Sequence, residues 1–144
     1  MARLQIFLAA LWWGSITTVG FMVVPMLFMN LETPAIAGQM AGKLFSAQTW
    51  LAVACGVLLL LAAKRQNLSQ THAPSPWVIS GMLLALLIEL AVKPHIMARD
   101  NLALWHNLGS AFYVLQWLCA GKVLWALSPM KPEPAIAADS AQTD

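Results

Sequence analysis

Charge is what this sequence has least of: Asp, Glu, Lys and Arg make up 10% of its 144 residues, against roughly 25% in soluble domains. That scarcity excludes an ordinary water-solvated surface. The formal net charge of +2 comes with no basic stripe, so nucleic acid is not a partner. Only two cysteines are present, Cys55 and Cys119, and neither belongs to a C-x-x-C pair. A disulfide framework and a thiolate metal site are therefore not indicated. There is no G-x-S-x-G, no phosphate-cradling P-loop and no H-E-x-x-H, which removes the usual signatures of hydrolysis and nucleotide binding. Position 2 is Ala and the C-terminus is no prenylation box, so lipid anchoring is not expected.

What remains is apolar: 60% of the residues are hydrophobic and the mean hydropathy is +0.69. These residues fall in blocks, and a bilayer core of about 30 Å needs roughly 20 of them in helical form. Four blocks qualify, predicting helices over about 4–30, 44–63, 77–97 and 101–126. The first two contain spans without an ionisable side chain, while the third carries Glu89 and Lys93 ahead of Pro94. The expected fold is all-α, an integral membrane four-helix bundle of antiparallel up-down topology, forming one domain over 1–127. The apolar run after Arg3 is too long for a signal-peptide core of about 7–15 residues and reads as a retained helix. No internal repeat is visible at helical-pair spacing.

The segment Glu32 to Gly42, with Pro34, Gly38 and Gly42, reads as a connector. Lys64 to Pro76 reads as a polar loop, and 128–144 as a disordered tail poor in large apolar residues. Arg3, Lys64, Arg65 and Lys131 flank one side and Lys43, Lys93 and Arg99 the other, a modest bias that predicts both termini in the cytoplasm. The expected location is the bacterial inner membrane, with the lipid bilayer as the principal partner. Ala10, Gly14 and Thr18 on the first helix, and Ala52 with Gly56 on the second, form small-residue faces for packing against other helices. The same faces would serve a homodimer seam.

Polar side chains are concentrated toward one leaflet. Glu89, Lys93 and His95 stand near the outer end of the third helix, His106, Ser110 and Tyr113 begin the fourth, and Ser46, Gln48 and Thr49 begin the second. The inner half offers mainly Gln116 and Lys122, with Ser15, Thr17 and Thr18 on the first helix, and reads as nearly dry. His106, Ser110, Tyr113 and Gln116 share a helical face that is expected to point into the bundle. Glu89 and Lys93 are spaced i, i+4 in the order that favours an ion pair. Glu89, Lys93, His106, Ser110 and Tyr113 thus make a candidate polar pocket open to the outer side. Met22, Met26 and Met29 form a stripe approaching His95 and His106. Thioether and imidazole suit copper, and imidazole can ligate haem iron, although methionine is also a common filler of apolar gaps.

The stretch GSITTVGFMVVPMLFMNLETPAIAGQMAGKLFSAQTW, Gly14 to Trp50, resembles the first helix pair of the bacterial domain of unknown function 4149 family, which includes transmembrane protein 205-like proteins. Gly14, Pro25, Leu27, Phe28, Leu31, Gly38 and Lys43-Leu44-Phe45 carry the resemblance, and Pro94, His106, Leu108 and Ser110 extend it. Where relatives tend to carry Asn one turn beyond the serine, this chain has Tyr113. The resemblance implies a small four-helix membrane protein of unassigned activity. It also implies a loose similarity to copper-resistance and haem-containing four-helix membrane proteins, with copper or haem b as the corresponding cofactor. Three functions remain open: a non-enzymatic bundle with an outward polar pocket, a proton-coupled transporter using Glu89, and a copper- or haem-binding redox protein using His106.

Overall fold

The computed structural model describes residues 2–65 and 75–128. Among these every regular element is helical, and four helices are long and apolar enough to cross a bilayer: α1 (Arg3–Asn30), α2 (Pro34–Arg65), α3 (Ser75–Met97) and α4 (Leu102–Leu127). The chain is a multi-pass membrane protein. The tail expected beyond residue 128 lies outside the described residues, as does most of the loop expected over 64–76.

Consecutive helices run antiparallel. Each packs against two neighbours: α1 and α3 both lie between α2 and α4. The core is built from Leu8, Ala9, Trp12 and Ile16 of α1, Ala52, Cys55 and Leu59 of α2, Val78 and Ala85 of α3, and Ala120 and Val123 of α4. The outside is as apolar as the inside: Phe7 is 63% exposed, Leu90 70%, Trp125 78% and Met29 80%. In water such a surface would drive aggregation. In lipid it is the expected exterior, because hydrocarbon and a leucine side chain are equivalent surroundings.

Helix α2 begins at Pro34, ten residues ahead of the expected boundary, so the connector expected over Glu32 to Gly42 is almost entirely helix. Thr33 and Pro34 explain why. The Thr33 hydroxyl accepts the Ile36 N–H at 3.3 Å, a capping bond, and proline at the first helical position loses no bond that would otherwise form. Gly38 and Gly42 then sit inside the helix, at tolerable cost in a membrane span. The second short connection, Ala98 to Asn101, turns through left-handed Arg99 (φ 57) and Asn101 (φ 40). Asparagine visits that region more readily than most residues.

The small-residue faces divide. Ala52 and Gly56 are buried as expected, Gly56 lying against Met82 and Val78 of α3. On α1, however, Ala10 and Thr18 are exposed and Gly14 has nothing near it. The inward face of α1 is the one that carries Ala9, Trp12 and Ile16.

Pro25 and Pro94 each follow a π turn, Val19–Val23 in α1 and Ile88–Val92 in α3. The Val24 N–H reaches back to the Val19 carbonyl, and the Lys93 N–H to that of Ile88. A proline inside an α-helix removes one backbone bond and crowds the carbonyl four residues earlier. Widening the preceding turn is a recognised accommodation, and such turns recur at functional sites. Pro25 is thus accommodated by a π turn, and α3 repeats the arrangement at Pro94.

Candidate functional site at the α3 π turn

Glu89 lies within the α3 π turn, and its side chain is 14% exposed. Its carboxylate oxygen is 2.6 Å from Lys93 Nζ, one turn on. From α2, Ser46 Oγ stands 2.9 Å and 3.0 Å from the two carboxylate oxygens. The same hydroxyl lies 3.0 Å from the Gly42 carbonyl oxygen. Having one proton, it donates to one of these acceptors at a time. Lys93 Nζ also donates to Ser46 Oγ. An isolated charge at a helix centre costs about 2.5–3.5 kcal/mol on insertion scales. Here carboxylate, ammonium and hydroxyl neutralise and solvate one another, in the half of the bundle nearer the two short connections.

Lys93 is the freer partner, with its side chain 34% exposed. Its long stem lets the ammonium leave toward the membrane surface. Glu89 would then keep only the Ser46 hydroxyl. A Lys93 so withdrawn would leave the carboxylate open to another cation.

The other residues expected in the pocket do not join it. His106 and Ser110 are exposed, and the Ser110 hydroxyl donates to the His106 carbonyl of its own helix at 2.9 Å. The buried residues of α4 are Gln116, Cys119, Ala120 and Val123. At about 100° per residue, His106 and Ser110 lie roughly a quarter to a third of a turn away from Gln116. Shared spacing put them on one face, but that face is tangential to the bundle. Tyr113 is half-buried and turns to α1, where its hydroxyl donates to the Ile16 carbonyl at 2.8 Å. Glu89 is met by Ser46 and Lys93, not by His106.

The metal candidates are also apart. Met22, Met26 and Met29 are exposed on the outer surface of α1. His95 is exposed, stacked on Trp105 with ring centroids 4.0 Å apart, and its Nδ1 is 3.5 Å from Asp100. Among the described residues no group of three His, Cys, Asp or Glu side chains gathers to hold a metal ion. The donor set does not fit copper or a bis-histidine haem.

Buried polar groups that sequence reasoning left out of the site are Gln5, Gln48 and Thr49, together with the indole nitrogen of Trp12. Gln48 Nε2 donates to Ser15 Oγ at 3.1 Å, and Ser15 donates to the Trp12 carbonyl at 2.8 Å. Gln116, expected to face inward, does so. Gln5 lies at the end of the bundle that carries the termini, beside Leu59, Leu60 and Ser75. The half read as nearly dry thus contains buried polar groups. A lone glutamine inside an apolar run was the available signal.

A model of the domain of unknown function DUF4149 matches residues 7–103. The chain belongs to the DUF4149 family. In this DUF4149 protein the matched region takes in α2, α3 and most of α1, and it ends just inside α4. Ser46, Glu89, Lys93 and His95 fall within it, whereas His106, Ser110, Tyr113 and Gln116 lie beyond. No curated protein and no solved structure matches the chain.

Proposed function

We propose that this DUF4149 protein is a non-enzymatic bundle of the bacterial inner membrane with both termini in the cytoplasm. In this reading it binds a small polar or cationic ligand from the outer side at Ser46, Glu89 and Lys93. The observation that carries it is the meeting of these three groups from two helices at a π turn. A carboxylate within a membrane span is a functional hypothesis by default, and here it has one mobile counter-charge. The polar pocket moves accordingly, away from His106, Ser110 and Tyr113 and onto the α2–α3 seam.

Cysteine accessibility tests this reading. Ser46→Cys in an otherwise cysteine-free chain is expected to react with a membrane-impermeant thiol reagent added outside and not inside. Reaction from the inside alone, or none from either side in a folded protein, rejects it. Reporter tags at the two termini test the orientation, and opposite compartments would overturn it.

A specific observation also favours the transport reading. Polar side chains stand at several levels of the bundle, half-buried at Glu89, Ser46 and Ser15 and buried at Gln48, Gln116 and Gln5. Glu89 would be the proton carrier, with Lys93 as its displaceable counter-ion. Proteoliposomes under a pH gradient should show proton uptake that Glu89→Gln abolishes. Unchanged uptake in that variant removes Glu89 as the carrier.

A further inference from the structure

The two helix hairpins of this chain match in burial at a set of corresponding positions. When the α1 and α3 π turns are superposed with their prolines, Ala9, Trp12 and Ile16 fall on Val78, Gly81 and Ala85. All six are buried, and the last three are the buried residues of α3 before its π turn. The spacing from that proline to the start of the next helix is one residue shorter in the second half, Pro94 to Leu102 against Pro25 to Pro34. Beyond it Gln48 and Gln116 stand at the same distance from the first residues of α2 and α4, and both are buried. Ala52 matches Ala120 and Cys55 matches Val123, again all buried. These positions follow a pseudo-twofold pattern along the bundle, which others break: Leu8 is buried where its counterpart Trp77 is exposed, and Gly56 is buried where Leu124 is half-buried. The matched residues are mostly unlike in identity, which is why no repeat is visible in the sequence.

Residues related by a twofold axis that touch one another lie at that axis. Trp12 and Gly81 do so: a Cβ at Gly81 would come within 2.8 Å of Trp12 Cζ2 and Cη2. One large and one absent side chain share the axial space. Cys119, one turn from Gln116, borders the same place, with its Cβ 3.4 Å from the Gly81 Cβ position. Gln48 reaches this level from the opposite helix through Ser15, whose hydroxyl bonds the Trp12 carbonyl.

Two donors at this level have no hydrogen-bond partner among the described residues, Trp12 Nε1 and Gln116 Nε2. Trp12 is 0% exposed and Gln116 2%. A buried donor left unpaired loses its hydrogen bond to water without replacement, and the surrounding lipid offers no acceptor. The buried polar side chains are Gln5, Gln48, Thr49 and Gln116, none of them ionisable, so an ion would find no counter-charge here. In membrane proteins built from paired repeats, helix interruptions at corresponding positions point to a site at the repeat interface.

We propose that the level bounded by Trp12, Gln48 and Gln116 is a binding site for a small uncharged hydrogen-bond acceptor, occupied by water in the resting protein. A buried water needs two to four polar partners. Trp12 Nε1 and Gln116 Nε2 supply two donors, and the Gln48 and Gln116 carbonyl oxygens can receive its protons. The site is separate from the Ser46–Glu89–Lys93 cluster and does not depend on the function proposed for that cluster.

Water itself is the probe. The full chain, with 15N-labelled tryptophan and in deuterated detergent, is measured for magnetisation transfer between water and the Trp12 indole proton, assigned through Trp12→Phe. The expected result is a water cross-peak at this fully buried indole, weakened several-fold in Gln116→Leu and unchanged in Glu89→Gln. A folded wild-type chain without the cross-peak overturns the proposal. So does a cross-peak of the same strength in a folded Gln116→Leu variant, because the indole and the amide would then not share an occupant. The wild-type measurement decides even if that variant does not fold.

Discussion

The Tyr113 hydroxyl donates to the Ile16 carbonyl at 2.8 Å, tying α4 to α1 beside the α1 π turn. The same ring lies over Gly20, inside that turn, where an added Cβ would come within 3.0 Å of Tyr113 Cζ and Oη. Closeness of the two backbones therefore depends on glycine. Gly20→Ala should destabilise the bundle by about 1–3 kcal/mol through overpacking. Tyr113→Phe should cost less, about 0.6 kcal/mol, the average for a hydrogen bond between membrane helices. Unfolding by increasing denaturing detergent measures both. A neutral Gly20→Ala would mean that the ring moves aside freely.

Trp12 and Gly81 make a paired prediction. Gly81→Ala places a methyl against the indole, and the indole is walled in by the core. The single substitution should cost about 1–3 kcal/mol, and much of that penalty should disappear when it is made in Trp12→Phe, whose smaller ring vacates the contact. Such coupling between touching residues is what a double-mutant cycle isolates. Gly38→Ala is the contrast: nothing lies within 4 Å of its Cβ position, so the change should be neutral or stabilising by up to about 1 kcal/mol. Additive costs at Trp12 and Gly81 would show that the two do not share space.

Glu89 and Lys93 should show strong coupling. Removing one member leaves the other charge without its counter-ion, an arrangement far costlier than removing both. Glu89→Ala and Lys93→Ala are each expected to lower stability more than the double variant Glu89→Gln with Lys93→Met does. Glu89→Ala should be the milder single change, because the Lys93 ammonium it leaves can extend toward the membrane surface, whereas Lys93→Ala leaves the less exposed carboxylate behind. Unfolding in denaturing detergent compares the three variants. Additive losses would mean that the two charges do not depend on one another.

The four spans were legible because lipid imposes one coarse rule, a sufficient run of apolar residues, and α1, α3 and α4 lie close to the expected boundaries. The start of α2 was not. Proline and two glycines read as punctuation under rules learned from soluble chains, whereas Thr33 capping Ile36 identifies Pro34 as a first helical residue. The Glu89–Lys93 pair was readable from spacing alone. Inward direction was harder: where both core and exterior are apolar, hydrophobicity cannot say which face is buried, so His106, Ser110 and the methionine stripe were given the wrong aspect. Ser46 joins the site only because α2 packs on α3, a contact that no local pattern contains.

Ala10, Gly14 and Thr18 lead to the last prediction. Ala10 and Thr18 are exposed and Gly14 has open space before it, so their small size serves no contact among the described residues. If that face is a seam between two copies, Gly14→Leu should abolish self-association while leaving the stability of the single bundle unchanged, since a leucine there meets only lipid. Gly14→Cys in a cysteine-free background should cross-link across the seam upon oxidation, with Phe7→Cys, another exposed α1 position 63% accessible in the single chain, as a comparison site. Close approach of backbones through small residues is a common means of joining membrane helices. A monomeric mass in detergent together with no Gly14→Cys cross-linking in native membranes would leave the stripe as lipid-facing surface and nothing more.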